Sequence, residues 1–140
     1  MLHHTVLRVV SKLLIPVIML FALYVQFHGD YSPGGGFQAG VIFAAAIILY
    51  ALLFGLDNTL DVLPSGVLQG TAALGVLLYA GVGITTVLMG GNFLDYNRLA
   101  ADGPTGQHLG IFLVELGVGI TVSSVMLLLY YAFAGRGSRP

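Results

Sequence analysis

Charged side chains fall along this chain so as to leave long apolar runs between them. From Tyr31 to Leu56, and again from Val62 to Leu94, there is no Asp, Glu, Lys, Arg or His. Each run exceeds the roughly 20 residues that an α-helix needs to cross a bilayer. Two further runs are less clean. One extends from about Thr5 to Phe27, opening with Arg8 and Lys12 and uncharged from Leu13 to the end of the run; Lys12 can lay its methylenes along the helix and hold its ammonium at the headgroups. The other extends from about Gln107 to Ala134 and is interrupted by one acid, Glu115. The pattern predicts an all-α integral membrane protein, a single membrane domain of four transmembrane helices over about 5–27, 37–56, 66–90 and 107–134.

Composition agrees. Of the 140 residues, 8% are charged and 57% hydrophobic, and the mean hydropathy is +0.95, outside the range of a water-soluble domain. The absence of cysteine excludes disulfides, thiolate metal sites and thiolate haem ligation. A net charge of -1 without a basic run argues against a nucleic-acid partner. The first run also begins like a secretory leader, with His3, His4, Arg8 and Lys12 before the apolar stretch, but it ends in YVQFHGDY and offers no small-residue cleavage site. It reads as a retained first helix.

Arg8, Lys12, Arg136 and Arg139 put four of the five basic residues in the two tails. With an even number of spans both tails share one side, and the positive-inside rule makes that side the cytoplasm. Tyr24, Tyr31, Tyr96, Tyr130 and Tyr131 fit interfacial belts, whereas Tyr79 falls mid-span, where a phenol calls for a hydrogen-bond partner. Asp57 and Asp61, four apart, read as a solvated turn between the second and third spans. Pro33, Pro64 and Pro104 each precede a later helix, as suits a residue that stops helix outside the membrane.

The densest signal is DYSPGGGFQAG, Asp30 to Gly40. Three consecutive glycines permit backbone conformations closed to other residues and can present bare N–H groups at a helix mouth. Irregular backbone near a bilayer persists only where protein or water covers it, so this loop is expected to touch another subunit or a water pocket. No Lys or Arg follows it to hold a polyanion, which argues against a phosphate loop. Gly75, Gly81, Gly83, Gly90, Gly91, Gly110, Gly117 and Gly119 crowd the last two spans. Such faces suit close helix packing, and partner subunits are the expected neighbours.

Here the sequence meets a known family. HGDYSPGGGFQAGVIFAAAIILYALLFG resembles the signature of the B subunit of multisubunit Na+/H+ antiporters of the Mrp/Mnh type, the MnhB domain family, and GPTGQHLGIFLVELGVGITV is similar to that family's fourth-helix segment. The resemblance covers nearly the whole chain. It implies a non-enzymatic, cofactor-free, multi-pass subunit of a prokaryotic cell membrane that works inside a hetero-oligomer with other membrane subunits exchanging protons for Na+ or another monovalent cation. It also marks Asp30, Pro33, Gly34, Gly35, Gly36, Phe37, Gly40, Pro104 and Gly106 as loop and interface motif positions. A related subunit in the membrane arm of energy-converting hydrogenases is similar too, and that assembly stays open as the alternative. A self-sufficient homodimeric exporter is disfavoured, since such proteins keep an acid in the first helix.

Glu115 is the candidate ion-handling residue. Ionisable groups inside a span are costly and default to function; a carboxylate there can carry a proton or bind Na+ with hydroxyls and carbonyls, or it can be a structural hydrogen-bonding group. His108, seven residues earlier, lies on the same helical face about 10 Å away and is either a proton-entry group or an interfacial polar residue. Thr85, Thr86 and Thr121, with Ser123 and Ser124, are helix-packing hydroxyls or Na+ ligands. His28 and Asp30 form a pair too small for a metal site.

Overall fold

A computed structural model describes residues 2–28, 35–93 and 103–138. The described chain is helical: α1 (Leu2–Phe27), α2 (Gly36–Phe54), a short α3 (Leu56–Val62), α4 (Ser65–Leu88) and α5 (Gly103–Ala134), followed by a 3₁₀ turn at Gly135–Ser138. Four of these are long and apolar enough to cross a membrane: His4–Phe27, Gly36–Phe54, Ser65–Leu88 and His108–Ala134.

Local chemistry sets the ends. Gly55 adopts φ 96°, a conformation that costs other residues a clash with the neighbouring carbonyl, and there α2 stops. The apolar run continues past this point to Leu56, but the helix does not. The chain restarts as α3, with Asp57 in its first turn, where an acid meets the positive end of the helix dipole. Asp57 and Asp61 are both exposed. Pro64 caps α4 in an extended conformation. At the far end, Gly91 N–H donates to Thr86 O and Gly90 N–H to Val87 O, both at 3.0 Å, with Gly90 at φ 89°. This is the paired closure by which a left-handed glycine satisfies the last carbonyls of a helix. It ends α4 two residues short of the sequence expectation.

The long helices lie in a row, in the order α1, α2, α5, α4, with α1 touching α5 only lightly. Their directions follow from the contacts. Gly36 meets Glu115 and Gly40 meets Gly119, so α2 and α5 run parallel. Tyr131 meets Leu63, Ser124 meets Thr71 and Gly117 meets Gly75, so α4 runs antiparallel to α5. Arg8 and Lys12 of α1 both sit over the ring of Phe54 at the end of α2, which makes that pair antiparallel. Alternating direction brings the start of α1 and the end of α5 to the same face.

The best-packed core lies at that face, where Ala44, Leu68, Leu127 and Tyr131 are buried against Ile47, Leu56, Leu60 and Leu63. Tyr131 was expected near the inner face, in an interfacial belt. It is buried instead, and its hydroxyl donates to Leu63 O at 2.9 Å, satisfying a carbonyl that the turn between α3 and α4 leaves open. Tyr79 contrasts with it. Its side chain is 38% exposed within this chain and lies mid-span in α4, where lipid offers a phenol no hydrogen bond and the expected partner is still called for.

Candidate functional site

The glycine motif and Glu115 come together across the α2–α5 crossing. A methyl group at Gly36 would stand 2.9 Å from the carbonyl carbon of Glu115, and one at Gly40 2.7 Å from Gly119 O, closer than carbon approaches either atom in a relaxed structure. Only glycine permits this backbone contact. The same four-residue spacing of small residues, Gly36 to Gly40, meets Glu115 to Gly119, the arrangement that lets apolar helices pair by close packing where water supplies no drive.

At the top of the contact the half-buried Glu115 side chain reaches the first turn of α2. A methyl at Gly35 would lie 3.1 Å from Glu115 Oε1. Gly35 caps α2 without any side-chain hydrogen bond, so the carboxylate of α5 occupies the region where a capping side chain would project. The first N–H groups of a helix are unsatisfied by the helix itself and carry its positive end. A negative charge is electrostatically welcome there, and the glycines keep the approach free of side chains.

This placement fixes the depth of the acid. Measured along α5 alone, Glu115 lies about 18 Å from Gly103 at 1.5 Å per residue. Measured against α2, it is level with the first helical turn. The first turns of α5 therefore lie ahead of the first turn of α2, and one turn before Glu115 the ring of Phe112 stacks on Phe27 at the end of α1, 5.7 Å between centroids.

The other sequence candidates divide between two sides of α5. His108 shares the face of Glu115 and is exposed, two helical turns away. Thr121 faces α4: its hydroxyl donates to Gly117 O at 2.9 Å and lies 3.4 Å from Ala72 O. Gly75 of α4 packs there against Gly117 and Thr121, and a methyl at Gly75 would come within 2.7 Å of Gly117 O. Thr86, fully buried, donates to Gly83 O at 2.7 Å, and the exposed Thr85 donates to Gly81 O at 2.7 Å. Each hydroxyl thus serves a backbone carbonyl, and on α5 Thr121 faces α4 whereas the Glu115 carboxylate faces α2. The glycine-to-neighbour expectation changes in the same way. Gly36, Gly40, Gly75, Gly117 and Gly119 are used in contacts within this chain, and Gly83 lies beneath the ring of Phe93, whereas a methyl at Gly81 would meet open space. Of the motif positions, Asp30, Pro33 and Gly34 lie outside the described residues, Pro104 falls in the first turn of α5, Gly106 is buried and Phe37 points outward. His28 ends α1, stacked on Tyr24 at 4.2 Å, with Nδ1 3.0 Å from Tyr24 O; its expected companion Asp30 lies outside the described residues.

Sequence reading named Ser124 as a helix-packing hydroxyl but passed over its partner Thr71, and Gln26 as well. Thr71 Oγ1 and Ser124 Oγ share a hydrogen bond of 2.7 Å between α4 and α5. Gln26, near the end of α1, is only 6% exposed and enters the α2–α5 crossing: a methyl at Gly119 would stand 2.5 Å from its Oε1 and 3.3 Å from Gly36 O. A lone amide in the last turn of an otherwise apolar span was the available signal.

The arrangement in which a glycine-rich helix start receives an acid from a later helix spans the two segments that carried the family resemblance. The sequence profile described as "Domain related to MnhB subunit of Na+/H+ antiporter" matches residues 6–128. The chain belongs to the MnhB family. Similar proteins named "Putative antiporter subunit mnhB2" come from Staphylococcus haemolyticus strain JCSC1435, at 34% identity over 97% of this chain and 98% of the relative, and from Staphylococcus aureus strains MRSA252 and Newman, at 32% and 34% identity over the same shares. Within this MnhB chain the matched region takes in α1 from its second turn, the glycine motif, α4 and α5 through Leu128, and so includes both partners of the α2–α5 contact.

Proposed function

We propose that this chain is an accessory subunit of a multisubunit Na+/H+ antiporter, embedded as a four-helix row in the plasma membrane, and that Glu115 is its ion-handling group. The family match over nearly the full chain supports the first part. The observation that carries the second is the position of the Glu115 carboxylate against the first turn of α2. A carboxylate there is held by a helix dipole and lies beside α5 turns that lead to the exposed His108. It is placed to accept a proton or a monovalent cation arriving along that face and to pass it to a neighbouring subunit. The row supports this role: four helices side by side leave both broad faces for lipid and for the other subunits, with Gly81 on open surface. Both termini are assigned to the cytoplasm by the basic tails.

The test is Na+-dependent proton movement in inverted vesicles carrying the whole complex, wild type against Glu115→Gln, with subunit retention followed on a native gel. Glu115→Gln preserves shape and loses titration, so the complex should stay whole while exchange falls. Unchanged exchange in an intact complex would leave the chain a scaffold.

A further inference from the structure

Among the described residues, Gln26 has a buried side-chain nitrogen, Nε2, without a hydrogen-bond partner. An amide N–H sealed in an apolar surrounding costs a few kcal/mol unless it is bonded. Gln26 lines a cavity of about 170 Å³ between α1, α2 and α5, together with Ala39, Gly40, Leu116, Gly119 and Ser123. The missing side chain at Gly119 is what admits the amide, and Gly119 lies one helical turn below Glu115, on the same face of α5. The carboxylate, the Gly36 carbonyl and the Gln26 amide therefore border one crossing point.

We propose that Gln26 holds water in this cavity, beside Glu115, and so forms the protein end of a hydrated route to the carboxylate. An amide offers both a donor and an acceptor, and water can meet either. The volume admits water at about 30 Å³ a molecule, and a buried water needs two to four polar partners; in an otherwise apolar lining the amide of Gln26 and the Ser123 hydroxyl, which donates to Ile120 O at 3.1 Å and can still accept, supply two. In this role Gln26 is a positioning residue. The inference rests on the reading of Glu115 as the ion-handling group for its functional meaning, but not for its test.

The test exploits the absence of cysteine from the chain. In the assembled complex, Ser123→Cys places one thiol in the cavity, and Leu129→Cys places one on the exposed apolar face of the same helix, where Leu129 is 49% exposed. Reaction with methyl methanethiosulfonate requires the thiolate, which forms in contact with water, so Ser123→Cys should label at least about tenfold faster than Leu129→Cys. Adding Gln26→Met should remove that advantage, and Gln26→Asn, which keeps an amide, should restore part of it. Equal rates for the two single cysteines, or a rate at Ser123→Cys indifferent to Gln26→Met, overturn the proposal. If Gln26→Met disperses the complex, the comparison of the two single cysteines decides. Exchange provides a second arm: Gln26→Met should slow it by about two- to tenfold, the worth of one hydrogen bond, and have no further effect on Glu115→Gln. Should Glu115→Gln leave exchange unchanged, the ion-path reading falls, and the labelling rates alone judge the water at Gln26.

Discussion

At the scale of single residues, Gly35 and Gly36 before Phe37 do different work. Gly36 faces backbone, the carbonyl group of Glu115, whereas Gly35 faces the far end of the Glu115 side chain. Backbone in a packed crossing cannot move without parting the helices, but a carboxylate can swing. We therefore expect Gly36→Ala to destabilise the subunit by about 1–3 kcal/mol, the usual cost of overpacking, seen as a lower melting temperature of the purified complex or as loss of this subunit from it. Gly35→Ala should keep the complex whole and lower Na+/H+ exchange by displacing the carboxylate. Equal loss of assembly in both variants would show that the Gly35 contact is also rigid. The threonines teach the converse. Thr85, Thr86 and Thr121 looked like cation ligands as readily as packing groups, and the structure gives each hydroxyl a carbonyl on its own helix.

At the scale of elements, the helix ends are made by backbone conformation more than by side-chain caps. Gly90 closes α4 at φ 89°, and with α4 closed the following turn folds Phe93 back over Gly83. Gly90→Ala is expected to cost about 1 kcal/mol through the positive φ, lowering the melting temperature without changing exchange. A drop in exchange with unchanged stability would mean that the α4 terminus belongs to the ion route. The α2–α3 break follows the same logic. An uncharged run to Leu56 suggested a longer second span, but Gly55 ends it, and α3 turns back to join the core under α4 and α5.

At the scale of the whole molecule, the chain is a row of helices fastened at two levels. Near the start of α2, glycine contacts bind α5 to α2, and at the opposite face the buried Tyr131 ties α5 to the α3–α4 turn. Removing that bond with Tyr131→Phe should lower stability by about 0.5–1.5 kcal/mol and leave exchange in the surviving complex at its normal rate; a thermal melt paired with vesicle exchange reads both. The alternating helix directions bring the start of α1 and the end of α5 to one face, which we propose is the cytoplasmic one. Reporter fusions at the two termini should accordingly give the same cytoplasmic signal, and opposite signals would break the four-span arrangement.

The sequence by itself determined how many helices cross the membrane, because apolar length between charges is a one-dimensional property that the bilayer reads directly. It also determined the family, through two segments far apart in the chain, and singled out Glu115 as the one acid within a span. It left open what those two segments do to each other. That Gly35 and Gly36 receive Glu115, that Gly119 makes room for Gln26, and that Thr121 faces away toward α4 depend on which helix lies beside which and in what rotation. Helices that are apolar all round carry no sided pattern from which to read their neighbours. In a membrane the choice is made by close packing of small residues, so the neighbours of Glu115 were decided only in the folded row.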